Sequence, residues 1–374
     1  MTEPGYPAAR AVAARVQDHF ARHLGATSLL GSNLPDLLDI EAIVDAAFWA
    51  SLRREEGYIP KISIALVPPE RVLQPLLFGR RLSLDSTTLT KVAPAVERPG
   101  IHLGVWRYEG ELRAWGTARL IPAFAFVLEV AAPGLLVVKH HRGDGGKFVN
   151  IAVLEGDQIK MIDEHASQLP DTPGLLMTLL GFDAPGSRAG RVNVLVDLAV
   201  SMRAHRRGGI ILMVPSVGEE WRESIVHPIP YAVEPPFTAL ADLLRRAAEE
   251  HDRREWQEEL EDLVQHVAGL TAVDGATVLS DRCEVLGFGA KITRRKGSAL
   301  VEVAGVTEPI EGGEAALVHP ALLGGTRHLS AAQFVHDQRN TVALVASQDG
   351  RFTVFIWSPD AERVHAHRVE ALLL

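Results

Sequence analysis

Val12, Val16, Phe20 and Leu24 recur every fourth position and predict an amphipathic helix from about Ala8 to Leu24. Leu38, Ala42 and Phe48 predict a second helix from Pro35 to Arg53, with Asn33 as its cap and Gly57 closing it. "ISIALV" from Ile62 then reads as a buried strand stopped by Pro68-Pro69. From Ile101 to Asp163 the pattern becomes one of short β segments: "IHLGVWRY", "LRAWGTARL", "FAFVLEV", "LLVVKHH" and "KFVNIAVLEG". Turn signals at Glu109-Gly110, Pro133-Gly134 and Asp144-Gly145-Gly146 separate them, as in the hairpins of an antiparallel sheet.

A helix over "VNVLVDLAVSMRAH" leads through Gly208-Gly209 into the strand "IILMV". Residues 1–232 are therefore expected to form one N-terminal α+β domain, or two closely packed units. Pro230, Pro235 and Pro236 mark a shift in composition. Beyond them, Leu240, Leu243, Leu244, Trp256, Leu260, Leu263, Val264 and Val267 give one apolar side to a long charged helix, broken once, expected as a connector over 233–271. The remainder, 272–374, alternates strands with one helix. "ATVLSDRCEVLGFGAKI" reads as two strands around Ser280-Asp281-Arg282, and "SALVEVAGV" as another. "TVALVASQDGRFTVFIW" reads as a hairpin turning at Gln348-Asp349-Gly350. The expected fold class is α/β (α+β): a C-terminal mixed sheet flanked by helices, behind an N-terminal α+β domain.

Composition narrows the function classes. A net charge of −9 argues against a broad nucleic-acid surface but leaves room for a local anion site. A single cysteine, Cys283, allows no internal disulfide, and its simplest role is that of a small apolar residue on a strand. The N-terminus lacks the pattern of a secretion signal and no apolar run is long enough to span a membrane, so a cytoplasmic location is expected. The common phosphate-loop, paired-cysteine, HExxH and GxSxG motifs are absent from the sequence. "HHRGDGGK" from His140 reads as a polar hairpin loop, since adjacent strand residues point to opposite faces. Arg206 and Arg207 suit a helix C-terminus.

Two short pieces have a chemical character. Asp274-Gly275-Ala276 stands at the mouth of a strand, where a carboxylate can hold a divalent metal and a glycine lets a flat ligand approach the backbone. "GGTRHLS" from Gly324 puts Thr326, Arg327 and His328 where a glycine turn meets a helix start, a place that favours phosphate. Both pieces are also compatible with ordinary turns.

In this order the pieces resemble the diadenylate cyclase (DAC, DisA_N-type) domain. That family carries Asp-Gly-Ala, then Gly-Thr-Arg-His-Arg opening a helix, then a strand ending near Ser-Glu-Glu. The matching residues are Asp274, Gly275 and Ala276; Gly325, Thr326, Arg327 and His328; and Ser347-Gln348-Asp349. The whole chain resembles the branch in which a predicted sensor domain of the DACNV type precedes the cyclase domain. The resemblance implies condensation of two ATP into cyclic di-AMP and two pyrophosphates across a face-to-face homodimer or higher homo-oligomer, controlled by an unidentified sensor ligand. It assigns Asp274 to the metal (Mg²⁺ or Mn²⁺) and to the attacking hydroxyl, with Asp349 as a second candidate ligand. Gly275 and Ala276 would line the nucleotide, and Gly325, Thr326, Arg327, His328, Ser330 and Ser347 would surround its phosphates. Two positions depart from the pattern: Leu329 replaces an arginine and Gln348 a glutamate. The alternative they leave open is a cyclase-like adenine-nucleotide sensor without turnover.

Overall fold

The computed structural model describes residues 4–25, 34–141, 148–163, 194–246 and 254–374. It divides into two compact units, residues 1–162 with Leu374 and residues 163–373. Each is α+β with a mixed sheet, as the sequence predicts.

In the N-terminal unit, helices α1 (Pro7–Gly25), α2 (Leu37–Ser51) and α3 (Ser86–Val92) cover one face of an eight-stranded sheet. Its strands are β1 (Ile62–Leu66), β2 (Leu76–Ser83), β3 (His102–Tyr108), β4 (Glu111–Ala118), β5 (Phe126–Ala132), β6 (Leu135–His141), β7 (Phe148–Glu155) and β8 (Gln158–Met161). Their order is β2-β4-β3-β1-β5-β6-β7-β8, and only β1 and β3 run parallel. Period-two alternation assigns the faces: Ile62, Ile64 and Leu66 join the core under the helices, whereas Ala65 and Val67 join a smaller cluster around Trp115 on the other face. Val12, Val16 and Phe20 are buried as their spacing predicts. The hairpin at Glu109-Gly110 has both residues at positive φ, as a tight two-residue turn needs.

Helix α2 departs from its expected form. Asp36 caps it, its side chain accepting from Leu38 N at 2.9 Å, and Asn33 lies outside the described residues. Its apolar seam is Ile40, Ile43, Val44 and Ala47 in an i, i+3, i+4, i+7 pattern, so Leu38 and Ala42 face solvent. The helix ends at Ser51, short of Gly57. The Asp144-Gly145-Gly146 turn is also outside the described residues. Just before that segment, the His140 ring meets Phe20 edge to face and the His141 ring is tilted against Phe148, on opposite faces of β6 as expected.

The C-terminal unit is built on nine strands: β9 (Gly209–Val214), β10 (Tyr231–Phe237), β11 (Ala276–Ser280), β12 (Val285–Ala290), β13 (Ala304–Thr307), β14 (Ala316–Val318), β15 (Val342–Ala346), β16 (Phe352–Ser358) and β17 (Arg363–Arg368). Their order is β10-β12-β11-β9-β15-β16-β17-β13-β14. Helices α4 (Val194–Ala204), α5 (Ala239–Leu244) and α6 (Arg254–Leu270) pack on one face. On the other lies α8 (Thr326–Asp337), preceded by the single turn α7 (Ala321–Gly324). The result is a helix–sheet–helix sandwich.

This topology moves the domain boundary. The expected break at 232 and the separate connector 233–271 are both replaced by a boundary at 162/163. Strand β9 lies in the middle of the second sheet, parallel to β11 and antiparallel to β15, and β10 is its edge strand. Two parallel neighbours need a crossover, and α5 and α6 lie on it, burying Leu240, Leu243, Trp256, Leu260, Val264 and Val267 against Leu198 and Ile211. The charged helix is therefore part of the sheet's cover. Two smaller corrections concern strands. "SALVEVAGV" pairs only over Ala304–Thr307, and Cys283 sits in the turn between β11 and β12 at φ +65°. Burial pushes the Cys283 thiol up to about 11, which removes any thiolate role at neutral pH.

Candidate functional site

The chemically distinctive residues of the C-terminal unit meet at one end of its sheet. Gly209 of β9 pairs with Ala346 of β15, and Ile210 pairs with Ala276 of β11. Ala276 in turn pairs with Ala290 of β12. Gly208, Asp274-Gly275, Lys291 and Ser347 are therefore level with one another at neighbouring strand ends. Helix α8 starts beside them. The Arg327 guanidinium lies along Gly208, where an added Cβ would come within 2.8 Å of its Nη1. Gly208 thus clears the path of Arg327, a role beyond linking a helix to a strand.

The electrostatics of this end are specific. Lys291 Nζ donates to Asp274 Oδ2, and that bond, followed by the charges of Lys291 and Arg327, holds the Asp274 carboxyl below the usual aspartate range. Asp274 is exposed and anionic, within the field of two cations. On the β15–β16 turn, Ser347 Oγ donates to Asp349 Oδ1 and lowers the Asp349 carboxyl in the same sense. Gln348 Nε2 donates to Arg207 O at 3.4 Å, so this amide ties the turn to the β9 entrance.

The helix start divides the matched residues. Thr326 is exposed, Arg327 and Ser330 are half-buried, and these three share a side of the helix by i+3 and i+4 spacing. His328, rotated by one residue, points inward and is fully buried. Its Nδ1 meets Gly324 O at 3.1 Å and its Nε2 meets Thr353 Oγ1 at 3.3 Å. Burial lowers its pKa, so the ring is neutral at physiological pH. His328 therefore does not stand beside Arg327 as a second phosphate donor. The same contact explains one of the two glycines: a Cβ on Gly324 would overlap the His328 ring, while Gly325 takes φ +76° to enter the helix.

Gly275 receives a similar correction. It has φ +116°, and a Cβ there would lie 2.6 Å from Gly289 O, so the glycine serves close approach of β11 to β12. Sequence reasoning also missed two neighbours. Lys291 carries no motif, only a position one residue past β12. The exposed Tyr231 ring stacks on Phe288 with centroids 4.8 Å apart, next to Gly289, and offers a flat surface near Asp274. Tyr231 is the first residue of β10 in a proline-flanked stretch, which gave it the look of a linker residue.

No group of three or more His, Cys, Asp or Glu that could hold a metal occurs among the described residues. Asp274 is a single carboxylate, the hard oxygen type of donor that Mg²⁺ and Mn²⁺ prefer, and its Oδ2 already accepts from Lys291 Nζ.

Buried neutral histidines elsewhere predict a pH dependence. Burial holds His102 at about 4 in the N-terminal unit. Burial, then the neighbouring His365, holds His367 at about 3 in the C-terminal unit. Below about pH 6.5 the unfolded chain takes up protons that these folded rings refuse, so stability falls as pH drops from 6.5 toward those values. The expected slope is about 1.4 kcal/mol per pH unit for each ring. Asp39, raised by burial, acts in the opposite sense in the N-terminal unit, which makes the C-terminal unit the cleaner test. Urea midpoints at pH 7, 6 and 5 should fall steadily, and His367→Gln should flatten the C-terminal transition.

Residues 31–119 match a family model described as "Probable sensor domain DACNV". No curated protein matches the chain. The matched segment runs from α2 through β4, so the N-terminal unit carries the sensor-type domain, and the match ends well before Asp274. No helix among the described residues is long and apolar enough to cross a membrane.

Proposed function

We propose that the C-terminal unit binds adenine nucleotide at this sheet end and condenses two ATP molecules into cyclic di-AMP, under the control of the N-terminal sensor domain. The observation that carries the proposal is the meeting of Asp274, Arg327 and the start of α8 at neighbouring strand ends, with Asp274 held anionic. Arg327 and the backbone N–H groups of the first turn suit phosphate oxygens, and the Tyr231–Phe288 pair suits a purine ring. Asp274 would share Mg²⁺ or Mn²⁺ with the phosphates and orient the 3′-hydroxyl. That oxygen attacks the α-phosphorus of the ATP facing it, the α–β bridge breaks, and pyrophosphate leaves with its electrons; the hydroxyl proton passes to a base or to water. Each site supplies one attacking hydroxyl, so the working form is a homodimer or higher homo-oligomer. The substrate and product, ATP and cyclic di-AMP, are the expected partners of this unit. Positioning and charge neutralisation are the main contributions required of the protein.

A second reading, nucleotide sensing without turnover, is favoured by two observations. Leu329 takes the place of a cation, and the Gln348 amide is used on Arg207 O. Incubation with ATP and either metal, followed by chromatography, separates the two. Cyclic di-AMP that falls about 100-fold or more in both Asp274→Asn and Arg327→Ala supports the cyclase. Binding of ATP without product supports the sensor. Absence of both removes the nucleotide assignment.

A further inference from the structure

The face of the N-terminal sheet opposite its helices carries an unusual row. His102 of β3, Ser63 of β1 and Glu129 of β5 stand in register on three adjacent strands, and all three point to that face. These are central strands, where an apolar residue is the ordinary choice. Lys139 of β6 completes the group, donating to Glu129 Oε2 at 2.7 Å while its own side chain is nine-tenths buried. A cavity of about 490 Å³ opens over the row, and the exposed Arg98 and the Phe148 ring are among the residues that line it. The Phe148 and His102 rings meet edge to face, 5.4 Å apart.

One ring nitrogen of a residue lining this cavity lacks a partner. Ser63 Oγ and His102 Nδ1 share a 2.7 Å hydrogen bond, yet the buried His102 Nε2 has none among the described residues. Assigning serine as the donor, which gives its hydroxyl hydrogen a partner, puts the ring proton on Nε2, where it requires an acceptor. Burial keeps the ring neutral at physiological pH, so it contributes a hydrogen bond without a charge. The charged groups lining the cavity are Lys61, Arg98 and Lys139 against Glu97 and Glu129, an excess of one positive charge (3 − 2 = 1). An unsatisfied buried donor, a cationic excess and an aromatic wall are complementary to one kind of ligand.

We propose that this cavity is the ligand site of the sensor domain and that it takes a small organic carboxylate with a flat apolar body. The carboxylate accepts from His102 Nε2 and draws on Lys139 and Arg98, while the body lies against Phe148. His102, Ser63 and Arg98 fall inside the segment that matches the sensor family; Glu129, Lys139 and Phe148 lie outside it. The complete site therefore needs strands that the match does not cover. This deepens the sensor reading and does not depend on the cyclase assignment.

The test uses the full chain with benzoate as the probe and benzamide as its neutral isostere, by isothermal calorimetry and by thermal unfolding of the N-terminal unit. Benzoate should bind and raise the unfolding temperature, and benzamide should bind at least tenfold more weakly. His102→Phe and Lys139→Met should each weaken benzoate at least tenfold. Because those positions are buried, the exposed-site variant Arg98→Ala is included: it should weaken benzoate about threefold or more with an unchanged unfolding temperature. No benzoate binding at millimolar concentration, or equal binding by benzamide and by all three variants, overturns the proposal. Cyclic di-AMP formation measured with and without benzoate reads the coupling separately. Binding that leaves product unchanged keeps the site and removes only the control, whereas a failed cyclase assay has no bearing on the calorimetry.

Discussion

Gly275→Ala is expected to cost the C-terminal unit about 2–6 kcal/mol, the sum of a backbone conformation that other residues rarely adopt and a clash with a neighbouring strand. Gly275 has φ +116°, and its added Cβ would sit 2.6 Å from Gly289 O, with Gly289 itself at φ +68° in β12. The nearest atoms are all backbone of Gly289, so no flexible side chain can give way. The loss is a large part of the stability of an ordinary domain. The measurement is the urea midpoint of the C-terminal transition, followed separately from the N-terminal one, since two units need not unfold together. Gly269→Ala is the control. It lies in α6 with nothing within 4 Å of an added Cβ and should hold or gain up to about 1 kcal/mol. A Gly275→Ala protein as stable as its parent would mean that β11 and β12 are not held this closely.

Asp337→Ala is expected to have the second largest effect, about 3–5 kcal/mol, because it removes a buried acceptor and leaves several donors without a partner. The Asp337 side chain has no exposed surface. It accepts from Arg295 N at 2.8 Å, from Gln333 Nε2 at 2.8 Å and from Ser298 Oγ, with His336 Nδ1 at 3.1 Å. Gln333 extends the network, accepting from Val301 N and donating to Ala299 O, each at 3.0 Å. The end of α8 thereby holds the whole 295–301 segment. Asp337→Asn keeps the shape but turns one acceptor into a donor and should lose less. Trypsin gives a local readout, since Arg294, Arg295 and Lys296 are exposed on that segment. Cleavage there should quicken by roughly tenfold for each 1.4 kcal/mol lost to local opening. An unchanged cleavage rate would show that other contacts hold the loop.

The elements with a regular period were legible from the sequence. Val12, Val16 and Phe20 face the core as their spacing requires, and the hairpin strands from His102 to Glu155 follow from alternation and turn residues. The α2 seam was misassigned because Leu38, Ala42 and Phe48 and the true set Ile40, Ile43, Val44 and Ala47 both fit a helical period; burial against the sheet chose between them. The motifs at Asp274 and Gly325 were visible as local chemistry, since charge, hydroxyl and glycine are properties of single residues.

What the sequence determined by itself, then, was the α+β class, most of the regular elements and the two polar pieces of the C-terminal unit. Pairing between distant segments was decided only by the tertiary structure. That "IILMV" would lie beside Ala276–Ser280 and Val342–Ala346, moving the boundary to 162/163, depends on which strand edges meet, and hydrogen bonds between strand backbones leave no mark on the residues that make them. The same holds for side-chain direction. Arg327 and His328 are neighbours in the chain, but one turn of helix sends the first along Gly208 and the second into the core, where Gly324 makes room for its ring. The row of His102, Ser63 and Glu129 arises likewise from strand register, which brings three ordinary strand positions onto one face.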